Sequence, residues 1–453
     1  MGLLITNATI FTNDAENRLL TGQAVAIQGN LIRSVGPQDE LRAQFSGYQC
    51  LDGGGRLLMP GLTNVHMHFY GTFARGLALQ GTPRNFVEIL EQLWWRLDRS
   101  LDLEAVYYSA LVSAITAVKN GCTSVIDHHA SPKAVEGSLD RIEKALAMVG
   151  MRGLLCYEVS DRDGKGIRDQ GLEENARYIR QCRQRQASDP NHPFDGMLGL
   201  HAAFTLDDDS LERAAELSQS LKKGCHIHLL EDSADQDRCM QKYAAGALDR
   251  LHRFGLLGQG SIAAHGTHLD PAGMDLIAST GTIVTHQAQS NMNNAVGRAD
   301  VFELLRRGVT VGIGTDGMTP DLRAEARTGY LLHKHHLGDC NAGWAEFEQM
   351  TLKNNPEIYR RLTGQPVGRI EAGALADLIL IDYFPPTPLT EDNMWGHFLY
   401  GIIDAAVHTV VIDGKIVMQD KRLPHLDEAQ IAAASRICAE KVWERFHAKP
   451  LSR

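Results

Sequence analysis

One pattern recurs eight times along the chain: a short apolar run, then an interval long enough for a helix. GLTNVHMHF, TSVIDHH, RGLLCYEVS, GMLGLHAAF, GCHIHLLED, SIAAHGTHL, GTIVTHQAQ and TVGIGTDG follow one another in this way. Eight strands alternating with helices are what a (β/α)8 barrel requires, in a unit of about 250 residues or somewhat more. The expected fold class is therefore α/β, a TIM-like barrel. Nearly every run ends in a polar residue. Barrel active sites are assembled at the carboxyl ends of the strands, and a purely structural strand has no need to end in His, Glu or Asp.

The flanks read differently. LLITNATIF, AVAIQGNLIRSVG and GGRLLMPG are short β runs bounded by turn residues, and ALADLILIDYF and AAVHTVVIDGKIVMQD return the same texture near the other end. Asp413-Gly414 sits between two apolar runs as a hairpin signal. A small β-sandwich built from both chain ends is expected: residues 1–59 and 368–453, the latter with a C-terminal helix, around a barrel over 60–367.

Composition narrows the function. The 453 residues can bury a core without disulfides, and the eight cysteines are scattered with no CxxC pair, so reduced thiols in a cytoplasmic protein are expected. No basic, apolar leader opens the chain and no run approaches the roughly 18 apolar residues of a membrane span. A net charge of −10 with dispersed Lys and Arg disfavours a nucleic-acid partner, and LDGGGRLLMP and DGKG lack the order of a phosphate loop.

His66 and His68 end the first run two residues apart, so on an extended backbone both rings can reach one ion. Taken alone, such a pair reads first as two half-buried, hydrogen-bonded histidines. The fifth run adds His226, His228 and Glu231, the sixth His265, the eighth Asp316. A metal site with an open position needs two or three neutral imidazoles, a carboxylate and room for water, and His66, His68, His228 and Asp316 supply that set.

PGLTNVHMH, HIHLLE, AAHGTHL, THQAQSN and GTDG, in this order and spacing, resemble the amidohydrolase superfamily, more narrowly its cytosine/guanine deaminase and triazine chlorohydrolase branch. The resemblance covers nearly the whole chain. LWWRLDRSLD, YYSALVSAI, GCTSVIDHHASP and SNMNNAVG are similar, within that branch, to aminohydrolases associated with selenium and purine metabolism. The resemblance implies His66, His68, His228 and Asp316 as metal ligands, Glu231 as proton shuttle, His265 beside the reacting water, and His201 touching substrate. Binuclear relatives carry a carboxylated lysine near the end of the fourth strand; GMLGLHAAFT offers none, so one divalent ion is expected, zinc first, with iron or manganese accepting the same ligands. Many members read HxPxSN on the seventh strand where this chain has His286-Gln287-Ala288-Gln289-Ser290-Asn291; the missing proline alters the stretch from which His286 and Asn291 are expected to face substrate.

The expected reaction is hydrolytic deamination of a purine, pterin, pyrimidine or triazine-like ring with release of ammonia. Glu231 moves a proton from water to a ring nitrogen while Asp316 and His265 orient that water. Ring opening of a cyclic amide is the alternative, separable by ammonia release; a non-catalytic scaffold is expected to have lost a ligand, and none is missing.

Other residues have two readings. Arg75, in the loop after the first run, reads as a substrate fork or a surface ion pair. Trp94 and Trp95 read as core or as contact in a homodimer or larger homo-oligomer before substrate platform. His128 and His129 are strand-end residues that line the pocket or stand behind it. His333, His335 and His336 read as one solvated helix face, and His226 as a residue packed deeper in the barrel.

Overall fold

The computed structural model describes residues 2–448. Eight of the expected runs form parallel strands: β1 (Leu62–Met67), β2 (Cys122–His129), β3 (Arg152–Tyr157), β4 (Leu198–Ala202), β5 (Cys225–Leu229), β6 (Ile262–His265), β7 (Ile283–His286) and β8 (Val311–Ile313). They are buried on both faces, as parallel strands covered by helices must be. β1, β2 and β3 pair in that order, with the short strand Phe194–Gly196 beyond β3, and β4 to β8 pair in chain order as a second parallel sheet. Two isolated parallel bridges join the sheets, Val159 with Leu200 at one seam and Met67 with Asp316 at the other.

The intervening helices are defined by local chemistry. Asp102 caps Leu103–Lys119 by accepting from the Ala105 N–H, and Asp232 caps Ser233–Tyr243 through the Ala234 N–H. Pro271–Thr280 has Asp270 as its cap, proline in the first turn, and Gly281 in the left-handed region at its end, three signals that each fix one boundary.

Inside the strands, Val65, Ile126, Leu154, Met197, Ile262 and Ile283 pack with Ile358 and Tyr359 of the helix Asn355–Thr363. This apolar floor closes the end of the strands opposite the ligand-rich one.

The chain ends form two further sheets. One is N-terminal, in the order Leu31–Pro37, Gln23–Gln28, Gly2–Thr6, Gln49–Asp52. The other interleaves both ends, with Leu57–Pro60 lying between Leu378–Ile381 and Thr9–Phe11. Ile5, Val25, Ile27, Leu58, Leu378 and Leu380 share one apolar cluster between them, about 25 cal/mol per Å² of apolar area removed from water. The Asp413-Gly414 turn has both residues at positive φ, 55° and 70°, as a two-residue hairpin demands.

Arg152, at the start of β3, fastens the strands to this assembly. It has no exposed area; its Nε donates to Asp377 at 2.6 Å and its Nη2 to Asp413 at 2.8 Å. The C-terminal helix Glu428–His447 leaves the sheets and lies on Leu103–Lys119, and its Trp443 Nε1 donates to the Phe73 carbonyl at 2.8 Å. It thereby braces the loop that follows β1.

Candidate metal centre and its cavity

The carboxyl ends of β1, β5, β6 and β8 bring His66, His68, His228, His265 and Asp316 together. Backbone register accounts for part of this: the Asp316 N–H donates to the His66 carbonyl at 3.0 Å, and the His68 N–H to the Asp316 carbonyl at 3.2 Å. Leu230, His265 and Asp316 all take positive φ, 48°, 75° and 54°. Non-glycine residues adopt this region at a cost of order 1–3 kcal/mol each, and such strain persists where the surroundings impose it. Here it turns the ends of β5, β6 and β8 toward one point.

The side chains converge closely. His68 Nε2 lies 3.0 Å and His66 Nε2 3.5 Å from Asp316 Oδ1, and His265 Nε2 lies 3.4 Å from Glu231 Oε2. Each ring is oriented by its other nitrogen. His68 Nδ1 donates to the His128 carbonyl, His228 Nδ1 to the His201 carbonyl at 2.9 Å, and His265 Nδ1 to Asn291 Oδ1 at 2.8 Å; His66 Nδ1 is 2.8 Å from His226 Nε2. Because carbonyls only accept, His68 and His228 each keep a proton on Nδ1, which leaves their Nε2 atoms, 3.2 Å apart, as the positions turned toward Asp316 and the shared point. His66 Nε2 and His265 Nε2 are buried with no hydrogen-bond partner. These donors fit one divalent ion.

Glu231 borders the same point, with Asn294 Nδ2 donating to its Oε1 at 3.2 Å. Burial pushes its carboxyl up to about 7; the His265 ring opposes the rise and Asp316 adds to it. A carboxyl so tuned exchanges protons near neutral pH, as an acid–base catalyst must.

A cavity opens over the cluster, walled by Tyr70, Phe86, Leu90, Trp94, Trp95 and Phe204 on its apolar side and by Glu158, His201, Glu231, Asn294 and Asp316 on its polar side. Flat apolar walls with a few convergent polar groups suit a small planar ligand.

The amidohydrolase family profile matches residues 57–417, four fifths of the chain. This protein belongs to the amidohydrolase family. Among curated relatives, this amidohydrolase is 29% identical to a 5-methylthioadenosine/S-adenosylhomocysteine deaminase of Pelotomaculum thermopropionicum, over 96% of this chain and 97% of the relative. It is 29% identical to a 5'-deoxyadenosine deaminase of Methanosarcina mazei, over 98% and 99%. A zinc-bound adenosine deaminase of Xanthomonas campestris superposes with a TM-score of 0.82 at 25% identity, over 97% and 98% of the two chains. A zinc-complexed atrazine chlorohydrolase of Arthrobacter aurescens TC1 shares the fold, with a TM-score of 0.80 at 20% identity over 96% and 100%. The expectation of a hydrolase acting on carbon–nitrogen bonds, deaminating a nitrogen heterocycle, is borne out.

The amidohydrolase places its other sequence candidates unevenly. His201 lines the cavity; β4 carries a bulge between Leu200 and Ala202 that re-aims it. Asn291 holds His265 and is not a cavity wall. His286 is fully buried with its Nε2 3.2 Å from His333 Nε2, turned toward the helix Leu322–Leu337 and away from the cavity. Arg75 is exposed, outside the cavity, and its guanidinium has no ion pair among the described residues. Trp94 and Trp95 do face the cavity, because a π-helical turn over Leu90–Trp94 widens the helix there. His128 and His129 stand buried behind the walls, and His226 backs His66 from deeper in the barrel.

His333 corrects the sequence reading. His335 and His336 are exposed, but His333 is buried and accepts from Arg298 at 3.0 Å. It continues the buried stripe Leu322, Ala326, Tyr330 at helical spacing, a signal present in the sequence.

Glu158, one residue beyond β3, was not singled out from the sequence. Burial works against its charge, but His201, His128 and Arg162 hold the carboxyl well below the usual carboxylate range. Its position in RGLLCYEVS, at a strand's carboxyl end, was the available signal.

Proposed function

We propose that the chain is a mononuclear metal-dependent deaminase of an aminated purine or related fused ring, with His66, His68, His228 and Asp316 as ligands to one divalent ion, zinc by preference. The convergence of the His68 and His228 Nε2 atoms beside Asp316 carries this reading. The eight strands close through their two bridged seams into the (β/α)8 barrel, over residues 60–367, and the two flanking sheets make the β-sandwich.

When bound, a divalent ion supplies water acidic enough to react near neutral pH. Asp316 and His265 orient that water. Glu231 would take one proton from water and deliver it to the ring nitrogen beside the amino-bearing carbon, which accepts the hydroxyl oxygen; it would then carry the hydroxyl's remaining proton to the amino group, which leaves as ammonia as the carbonyl forms. Asn294 holds Glu231 at the required angle. His201 and the tryptophan wall position the ring.

No single helix among the described residues is long and apolar enough to cross a membrane, and all eight cysteines are free. We place the enzyme in the cytoplasm, as a homodimer or larger homo-oligomer in purine metabolism.

The test is ammonia release by zinc-reconstituted protein across aminated purines, pterins, pyrimidines and triazines, with Glu231→Gln as control. Release abolished in the variant supports the reading. Silence across the panel with one zinc per chain overturns it in favour of cyclic-amide hydrolysis.

A further inference from the structure

The mechanism leaves one buried charge in the cavity unused. Glu158 has a side chain only 3% exposed, yet it is a cavity wall, and its carboxylate lies within 4.8 Å of the ring nitrogens of His68 and His228. Its neighbours do not satisfy it. His128 Nδ1 is 3.4 Å from Oε2, and His201 Nε2 and Arg162 Nη2 are 3.7 and 3.9 Å from Oε1. Each neighbour has a better partner: Arg162 pairs with Asp98, His201 Nδ1 with Thr205 at 2.7 Å, and His128 Nε2 with the His226 carbonyl at 3.1 Å. They balance the charge of Glu158 without occupying its lone pairs. A carboxylate offers about four acceptor positions, and here they open toward the cavity.

Resting on the deaminase reading, we propose that Glu158 is a specificity determinant that accepts a hydrogen bond from a ring N–H beside the reacting carbon, selecting 2-amino-oxo fused pyrimidines of the guanine or pterin type.

The chemistry follows from which atoms a ring presents. Guanine and pterin carry an N–H next to the amino-bearing carbon, which donates to a carboxylate. The six-membered ring of an N9-substituted adenine carries only pyridine-type nitrogens, whose lone pairs oppose the carboxylate's. A buried acceptor left facing another acceptor loses its water and gains nothing in return. The specificity inferred thus differs from that of the adenosine deaminases the chain resembles.

Two arms test this with zinc-loaded protein. The first measures kcat/KM for ammonia release from guanine, pterin, adenosine and 5'-deoxyadenosine. The expected preference for guanine or pterin is at least about 100-fold, a floor below the roughly 10⁴- to 10⁵-fold by which a site built for an N–H rejects a ring lacking it, and Glu158→Gln should shrink it at least about 10-fold with unchanged Tm. An equal loss on both classes, or a wild-type preference for the adenosines, overturns the proposal.

The second arm is independent of turnover and of any change at Glu158. It compares the affinity of the Glu231→Gln protein for guanine against 1-methylguanine and for pterin against 3-methylpterin, pairs differing in that one N–H. Methylation should weaken binding at least about 10-fold. Equal affinities, or binding of adenosines alone, refute the role of Glu158. Donor-dependent binding with no ammonia from any ring supports Glu158 while sinking the deaminase reading.

Discussion

β3 carries a buried charge near each end, and the two are handled in opposite ways. At its start, Arg152 is enclosed and its donors are taken up by Asp377 and Asp413, with further contacts to the Asn191 carbonyl and Gln365. Just past its other end, Glu158 is equally buried but has only loosely placed neighbours, with ring nitrogens of His68 and His228 within 4.8 Å. The first arrangement is complete without anything else. The second is finished only by what binds there. Burial alone therefore says little about role; what distinguishes structure from site on this strand is whether the buried polar atoms are satisfied by the chain itself.

The contrast can be pressed from both ends. The largest expected effect is on chemistry alone: Glu231→Gln should lower kcat by about 10²- to 10⁴-fold while leaving Tm and zinc content unchanged, checked by ammonia release, calorimetry and metal analysis. A comparable fall in stability would mean that Glu231 belongs with the completed arrangement of Arg152.

At the opposite end, Arg152→Met leaves Asp377 buried without its cation. Unfolding in denaturant should show a loss of about 3–5 kcal/mol, with residual folded protein retaining its turnover per zinc. A variant of unchanged stability would dissolve the distinction drawn along β3.

Asn291→Ala removes the acceptor that orients His265. Groups of this kind affect metal affinity or activity by about 10–100-fold, so a fall in kcat of that size with KM for substrate held is expected. A rise in KM alone would return Asn291 to the substrate-contact role expected from sequence.

The smallest effect concerns a buried carboxyl away from the cavity. Burial pushes Glu325 up to about 8, against the N–H of Gln289 that it accepts. A carboxyl whose folded pKa is raised gives stability that is fully present below its unfolded value near 4.5 and declines as pH rises through about 8. Glu325→Gln, which keeps the neutral shape, should flatten the dependence of Tm on pH between those limits. An unchanged slope would assign that dependence elsewhere.

Much of the frame was legible because it rests on short-range pattern. The eight strand runs and the Asp413-Gly414 turn each sit within a few residues of the signal that marks them, and the histidines and aspartate proposed as ligands stand at the ends of such runs. The cavity walls were less legible. Trp94 and Trp95 face inward through a π-helical turn that no residue pattern announces, and Asn294 reaches Glu231 across 63 positions of sequence. His286 illustrates a third case. A strand-end residue can face the axis or the surrounding helices, and only its contact with His333 decides which.

The Met67–Asp316 seam bears on how such a molecule comes into being. The proposed donors on its two sides, His66 and His68 on one and Asp316 on the other, lie at opposite ends of the strand series, so during synthesis a nascent chain lacks Asp316 until about 316 residues have been made. Shorter chains can hold histidines but not the finished coordination sphere. With the ligands proposed above, metal loading is a late event that follows the pairing of Met67 with Asp316, and bound metal counts completed molecules rather than chains begun.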